Sequence, residues 1–362
     1  MEPAIVRHWS TIVIKDKILC DSYRDSNDLD TDKKISCFTH IHDDHISGLQ
    51  DALGREFVLS TNETKELASA LLKGDSDADW VRERTNYYGL GPGQKKSIDG
   101  TDVSFRKANH ILGSAQLLVR GQNESVLYSS DFMLEGTDCE IDDVDYLILD
   151  STHGEFSKRQ EFESMVEGKK KIIGKAKQEL STGLRQLIIH ANRGTMQKVM
   201  SWLRKEFDDD IPFLAHRIEK NIADVYTKSA FPCGNVEDWE EAGPAYVTLG
   251  HPFIRFLPIN SIQQCQLVDP IIHSIRVGAS IASNLSQPEG MYVVNLQEHA
   301  TINEIFDYVN RIKPKHIIVD NSQRVQNPAN AQSLCNLLNK KRLDWNPSVK
   351  LSPNIHPRTN HE

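Results

Sequence analysis

The chain has 362 residues, 39% of them hydrophobic and 26% charged, with a net charge of −9. This is the composition of an ordinary soluble globular protein with enough material for two domains, or for one large domain carrying an insertion. Bulk charge does not favour nucleic-acid binding, which leaves a local basic groove or bound metal ions as the means of holding phosphate.

No apolar run approaches the roughly 20 residues of a membrane span. The N-terminus, with Glu2, Arg7 and His8, lacks the apolar region of a signal peptide. Cys20, Cys37, Cys139, Cys233, Cys265 and Cys335 are scattered without a C-x-x-C pair, as expected of reduced thiols. The expected compartment is the cytoplasm, or the nucleus in a eukaryote, with no membrane partner.

In chain order, Thr11–Cys20 alternates β-branched residues around Lys15-Asp16-Lys17, which predicts a hairpin ending at Asp21. Strands follow at Ile35–Thr39 and Phe57–Ser60. A helix is predicted over Asn62–Lys73, with Leu67, Ala70 and Leu71 on one face. Val103–Lys107, Ala115–Arg120, Val126–Ser130 and Tyr146–Asp150 read as successive strands. Beyond Gly154 the pattern changes to alternating units: helix Ser157–Leu180, strand Gln186–Ala191, helix Thr195–Phe207, strand Ile211–Ala215 and a helix to about Ala230. That alternation predicts a small parallel sheet. Phe231–Pro258, rich in Gly, Pro and aromatics, is expected to be irregular, as either a loop or an interface. Strand Met291–Leu296, helix Thr301–Ile312, strand Lys315–Val319 and helix Pro328–Asn339 complete the pattern, and residues 346–362 read as a loosely ordered tail. The basic clusters Lys95-Lys96, Lys169–Lys171 and Lys340–Arg342 read as solvated surface.

The chemistry concentrates in Phe38-Thr39-His40-Ile41-His42-Asp43-Asp44-His45, where His-x-His-x-Asp-His follows a short apolar run. Imidazoles and a carboxylate leaving a strand end together can converge on one or two divalent metals; zinc suits them, as do iron and manganese. His110, in Asn109-His110-Ile111-Leu112-Gly113-Ser114, and Asp131, in Ser129-Ser130-Asp131, sit at later strand ends. There a carboxylate either opens a turn or bridges two metals. Asn192-Arg193-Gly194-Thr195 opens a helix, where Arg193 and backbone N–H groups are candidates to hold a phosphate.

The order His40-x-His42-x-Asp44-His45, then His110, then Asp131 resembles the metallo-β-lactamase superfamily. Two further elements resemble its β-CASP nucleases, which include DNA cross-link repair nucleases, ligase-associated exonucleases and the endonucleases of messenger 3′-end processing. These are Leu149-Asp150-Ser151-Thr152-His153-Gly154 and Gln297-Glu298-His299-Ala300, and the likeness runs roughly from residue 10 to residue 340.

The resemblance implies a four-layer αββα sandwich formed by residues 1–155 and 288–345, with an α/β β-CASP cap at 156–287 closing over a groove for a single strand. It implies that His40, His42 and His110 hold one metal, Asp44 and His45 a second, and Asp131 bridges them. Asp21 would orient the histidine loop, its alternative being a simple turn residue. Asp150 and His299 would form the pair that protonates the leaving oxygen, with Asp44, Asp150 and His299 as the catalytic residues. RNA-directed members carry a last metal-binding His where this chain has Asn321, a poor zinc ligand. The expectation is therefore one firm zinc and a weaker second site, with manganese as the other candidate. The implied activity is phosphodiester hydrolysis of nucleic acid, single-stranded DNA being favoured over RNA. A thioester or lactone hydrolase of the same superfamily, or a catalytically weakened nucleic-acid-processing subunit, are the alternatives.

Overall fold

The structure, a computed structural model, describes residues 4–6, 12–15, 17–21, 35–55, 57–73, 81, 84–154, 162–229, 231–261, 273–278, 290–321, 328–341 and 343–352. The chain is mixed α/β and divides into two compact units. One comprises residues 1–68, 80–159 and 299–362, and the other residues 69–79 and 160–298.

The first unit opens with β1 (Ala4–Val6), β2 (Ile12–Ile14) and β3 (Ile18–Cys20), paired antiparallel. β4 (Ile35–Cys37) pairs parallel with β3 and delivers the histidine-rich segment into α1 (Asp43–Ile46) and α2 (Leu49–Arg55). β5 (Phe57–Thr61), α3 (Asn62–Lys73) and β6 (Tyr87–Leu90) follow, and the sheet runs in sequence order from β1 to β6. A second sheet starts with β7 (Lys95–Ile98), β8 (Thr101–Lys107), β9 (Ala115–Arg120), β10 (Ser125–Tyr128) and β11 (Tyr146–Leu149).

The second unit contains α4 (Met165–Ser181), β12 (Gln186–His190), α5 (Thr195–Phe207), β13 (Phe213–Ala215), α6 (Arg217–Thr227), β14 (Val236–Asp238), α7 (Trp239–Leu249), β15 (Phe253–Leu257), β16 (Ser274–Val277) and β17 (Met291–Val294). Its strands form one sheet in the order β14-β13-β15-β12-β16-β17, parallel at every pairing. Trp239 of α7 packs on Phe253 and Arg255, whereas Arg204 of α5 lies over Phe213, which is in register with Ile254. Neighbouring strand residues face opposite ways, so this sheet is covered on both sides, the usual condition of a parallel sheet.

The chain then returns to the first unit with α8 (Ile302–Ile312), β18 (His316–Val319), α9 (Pro328–Lys340) and β19 (Ser348–Leu351). The second sheet is thereby completed in the order β19-β18-β11-β10-β9-β8-β7.

Period-two alternation in that sheet explains the layers of the first unit. Leu117, Val119, Val126, Tyr128, Ile148 and Ile318 pack against Ile12, Ile14, Ile18, Cys20, Cys37 and Leu59 of the first sheet. Their neighbours Leu118, Leu127, Leu147, Leu149, Ile317 and Val319 pack against Ile305, Val309 and Ile312 of α8 and Leu334 and Leu338 of α9. These strands are buried on both faces, which is why they read as continuous apolar runs.

Two expectations are corrected. Phe231–Pro258 is not irregular, for it holds β14, α7 and β15. Its punctuation residues are caps: Asp238 accepts the N–H of Glu240, and Gly250, at φ 69°, closes α7 in the left-handed conformation. Residues 346–352 are not a loose tail, since β19 pairs in parallel with β18; residues 353–362 lie outside the described residues, as do Asp16 of the expected hairpin turn and residues 157–161 of the expected long helix. Among the described residues, Cys20, Cys37, Cys139, Cys233 and Cys335 are buried and form no disulfide. Among the described residues no helix is long and apolar enough to cross a membrane.

Candidate metal centre

The centre starts where β4 ends. Phe38 and Ile41 are fully buried and pin the segment, so that His40 and His42, two residues apart, project from it. The chain then turns into α1, with the N–H groups of His45 and Ile46 both donating to the carbonyl of His42.

Asp21 and Thr39 set the ring orientations. Asp21 is fully buried; its Oδ1 accepts the Thr39 N–H at 2.8 Å, and its Oδ2 accepts the Thr39 hydroxyl at 2.7 Å and His45 Nδ1 at 2.8 Å. The Thr39 hydroxyl thus spends its one proton on Asp21. It has two lone pairs left, and two groups approach them: the Ser130 hydroxyl at 2.8 Å and His40 Nδ1 at 3.1 Å. His40 must therefore carry its proton on Nδ1, leaving the Nε2 lone pair to face the centre. The same reasoning fixes His45, whose Nδ1 donates to Asp21 and whose Nε2 faces inward.

His110 arrives from the loop between β8 and β9. The Ser114 hydroxyl accepts the N–H groups of His110 at 3.2 Å and Ile111 at 3.1 Å, and it lies within donating distance of the Ala108 and Ile111 carbonyls. Gly113 has φ +78°, and a Cβ there would stand 2.7 Å from the Thr64 backbone nitrogen, so only glycine fits. Asp131 follows Ser130, itself held at φ 52°.

The donors converge. His42 Nδ1 is 3.1 Å from both His40 Nε2 and His110 Nε2, and Asp131 Oδ2 is 3.7 Å from each of those two Nε2 atoms. Four ligands about 2.0–2.1 Å from a tetrahedral ion stand about 3.3 Å apart, and these four separations are close to that spacing. His40, His42, His110 and Asp131 form one group able to hold a metal, and Asp131, Asp150 and His299 form another.

Asp131 is the hub of these contacts, its Oδ2 also lying 3.3 Å from His45 Nε2 and 3.9 Å from His299 Nδ1. Burial alone would raise the Asp131 carboxyl, but His45 and His299 hold it well below the usual carboxylate range. Burial, with His45 and His42 nearby, pushes His40 well below the usual imidazole range, which keeps its lone pair available. Burial opposes a charge on His45, yet Asp131, Asp44 and Asp21 lift it well above that range.

Asp44 lies 3.6 Å from His45 Nε2 with its side chain about half exposed. Asn321 is buried just beyond β18, its N–H donating to Ser352 Oγ at 2.8 Å. His316 stacks on Tyr146 and bonds Ser348.

Asp150 follows β11. Its N–H donates to Ser129 Oγ, its Oδ1 accepts the N–H and hydroxyl of Thr152, and its Oδ2 stands 3.3 Å from His299 Nδ1. A carboxylate can only accept, so Nδ1 carries the His299 proton.

At the start of α5, Arg193 Nε donates to Glu219 Oε1 at 3.0 Å, the Gly194 N–H is taken by Gln197 Oε1 at 2.7 Å, and the Thr195 hydroxyl donates to Glu298.

No protein-family model matches the chain. A protein of Acidianus ambivalens described as "Uncharacterized protein in lig 3'region" is 30% identical over 141 residues, covering 39% of this chain and 97% of that protein. The chain belongs to that protein's family. RNase aCSPSF2 of Saccharolobus solfataricus is 27% identical, over 33% of this chain; the match spans 28% of the RNase's length. In fold, the chain is similar to a crystal structure of a protein of unknown function from Enterococcus faecalis V583, with a TM-score of 0.51 and 12% identity, covering 82% of this chain and 77% of that one.

Proposed function

We propose that the protein is a metal-dependent nuclease of the β-CASP type. The observation that carries this reading is the convergence of His40, His42, His110 and Asp131 beside a hydrogen-bonded Asp150–His299 pair. The similarity to an RNase supports nucleic acid as the substrate class. The face-to-face sheets of the first unit, with α8 and α9 on an outer face, support a metallo-β-lactamase sandwich. Five of the six strands of the parallel sheet, β12–β16, fall within residues 156–287, which supports reading that segment as the inserted β-CASP module.

In this reading His40, His42, His110 and Asp131 hold zinc, or manganese, with Asp44 and His45 beside Asp131 as the weaker second set. A divalent ion there would make water acidic enough to attack at neutral pH and would neutralise charge on the phosphoryl group. The protein's own groups do the rest. Asp150 orients His299 through Nδ1–H; once His299 also takes up a proton on Nε2, that second proton would pass to the departing alkoxide and leave the neutral Nδ1–H imidazole, an effect typically worth about 10²–10⁴-fold. Asp21 and Thr39 hold the histidine loop in one tautomer throughout.

The test is direct. Protein purified with zinc or manganese is incubated with labelled single-stranded DNA and RNA, each with and without a 5′-phosphate. Cleavage is expected, and Asp44→Ala and His299→Ala abolish it. Undiminished cleavage by both variants, or turnover of a thioester or lactone with no nucleic acid cleaved, overturns the proposal.

A further inference from the structure

His299 is gripped twice by one short loop, and the mechanism above uses only one of the two contacts. Asp150, the first residue of the loop, reaches His299 Nδ1. Three residues later, the His153 ring meets the His299 ring edge-on, with centroids 5.3 Å apart and planes at 68°. The His299 ring also lies near that of His110, with centroids 4.8 Å apart and planes at 47°.

The loop behind His153 is rigid for identifiable reasons. The Ser151 hydroxyl donates to the Asp320 carbonyl, the Gly154 N–H donates to the Ser151 carbonyl at 2.9 Å, and Asn330 Nδ2 donates to the Thr152 carbonyl at 2.6 Å. A Cβ on Gly154 would collide with the Asn330 carbonyl, so the loop lies directly on the first turn of α9. A ring mounted on such a loop has few ways to move, which is the condition for holding a neighbour in place.

We propose that His153 is a positioning residue for His299. Its ring packs against the His299 imidazole and, together with Asp150, fixes the direction in which His299 Nε2 points. At 3.3 Å the Asp150 bond is long for a charge-assisted one, and the edge-on His153 ring adds a second restraint on rotation of the imidazole about Cβ–Cγ. The claim rests on the nuclease reading for its catalytic consequence, though not for the geometry.

The experiment compares wild type, His153→Ala and His153→Phe, all metal-loaded. Removing the ring is expected to lower kcat on single-stranded nucleic acid about tenfold or more, with KM and bound-metal stoichiometry unchanged. The ring-retaining His153→Phe recovers most of the loss. The nitrogen-15 NMR signal of His299 Nδ1–H serves as a readout independent of cleavage; it is expected to broaden or shift in His153→Ala and to return towards wild type in His153→Phe. A wild-type kcat and an unchanged His299 signal in a folded His153→Ala protein overturn the proposal, as does a change confined to KM. A response of the His299 signal in a protein that cleaves no nucleic acid sustains the positioning role while refuting the nuclease reading.

Discussion

Asp21→Asn is the substitution from which most follows, because this buried carboxylate accepts three hydrogen bonds that determine two histidine tautomers. An asparagine keeps one oxygen. If that oxygen replaces Oδ1 and receives the Thr39 N–H, the amide NH2 faces the Thr39 hydroxyl and His45 Nδ1. The Thr39 oxygen already meets Ser130 and His40 Nδ1 on its lone pairs, so it has no place for a third donor. His45 Nδ1 then faces a donor and loses both its hydrogen bond and the negative charge beside it. If the amide is flipped, its NH2 faces the Thr39 backbone N–H, donor against donor. Hydrogen bonds to charged groups are worth about 1.5–3 kcal/mol each, and a buried unmatched donor costs about 1–3. Since the amide oxygen rescues part of this, a net loss of about 2–4 kcal/mol is expected. Divalent-metal affinity should fall about 10–100-fold, the usual consequence of losing a group that orients a metal-binding histidine. Denaturant unfolding of metal-free protein measures the first quantity, and competition titration against a chelating dye the second. An Asp21→Asn protein with wild-type values for both would refute the tautomer argument.

The remaining expectations are independent of one another. His42→Ala removes the nitrogen that lies 3.1 Å from two others, so metal analysis after gel filtration should show loss of the tightest-bound ion; full retention would count against the four-donor site. Tyr308→Phe removes the buried hydroxyl that donates to Gln116 Oε1 and should lower stability by about 1–3 kcal/mol in thermal or denaturant unfolding. Burial, with Arg276 and Arg255 adding to it, depresses His190 from 6.5 to about 4. A group depressed on folding contributes full stability above its unfolded pKa and loses it as pH falls towards the folded one. Between pH 6.5 and 4 the wild type should therefore lose up to roughly 3 kcal/mol more than His190→Leu. Parallel pH–stability curves for the two proteins would show that His190 does not titrate in this way.

The elements that could be read from the chain are those whose pattern is local. Asn62–Lys73 and Thr195–Phe207 form helices over the residues their periodicity indicates, and Ala115–Arg120 forms the strand its apolar run indicates. Trp239–Leu249 could not be read in this way, because Pro244 sits inside it and its flanks carry Asp and Gly. What sustains that helix is non-local: Trp239 and Tyr246 both pack on Phe253 of β15, and Tyr246 donates to Glu237 at 2.8 Å. Packing of that kind outweighs a poor intrinsic propensity, and a single sequence does not display the partner.

The centre divides along the same line. His40, His42 and His45 announce a metal site because their donors lie within six residues, and the later His110 and Asp131 need only stand at strand ends to join them. The groups that make those donors usable carry no such signal. Thr39 and Ser130 are 91 residues apart, Thr39 and Asp21 are 18 apart, and each is an unexceptional residue type where it stands. Only when β3, β4 and the turn after β10 are brought together does the Thr39 hydroxyl acquire one acceptor and two donors, and with them the power to dictate the His40 tautomer. A ligand motif thus states which elements a site is made of. Its protonation state is a property of the tertiary structure, since it depends on hydrogen bonds that close long loops.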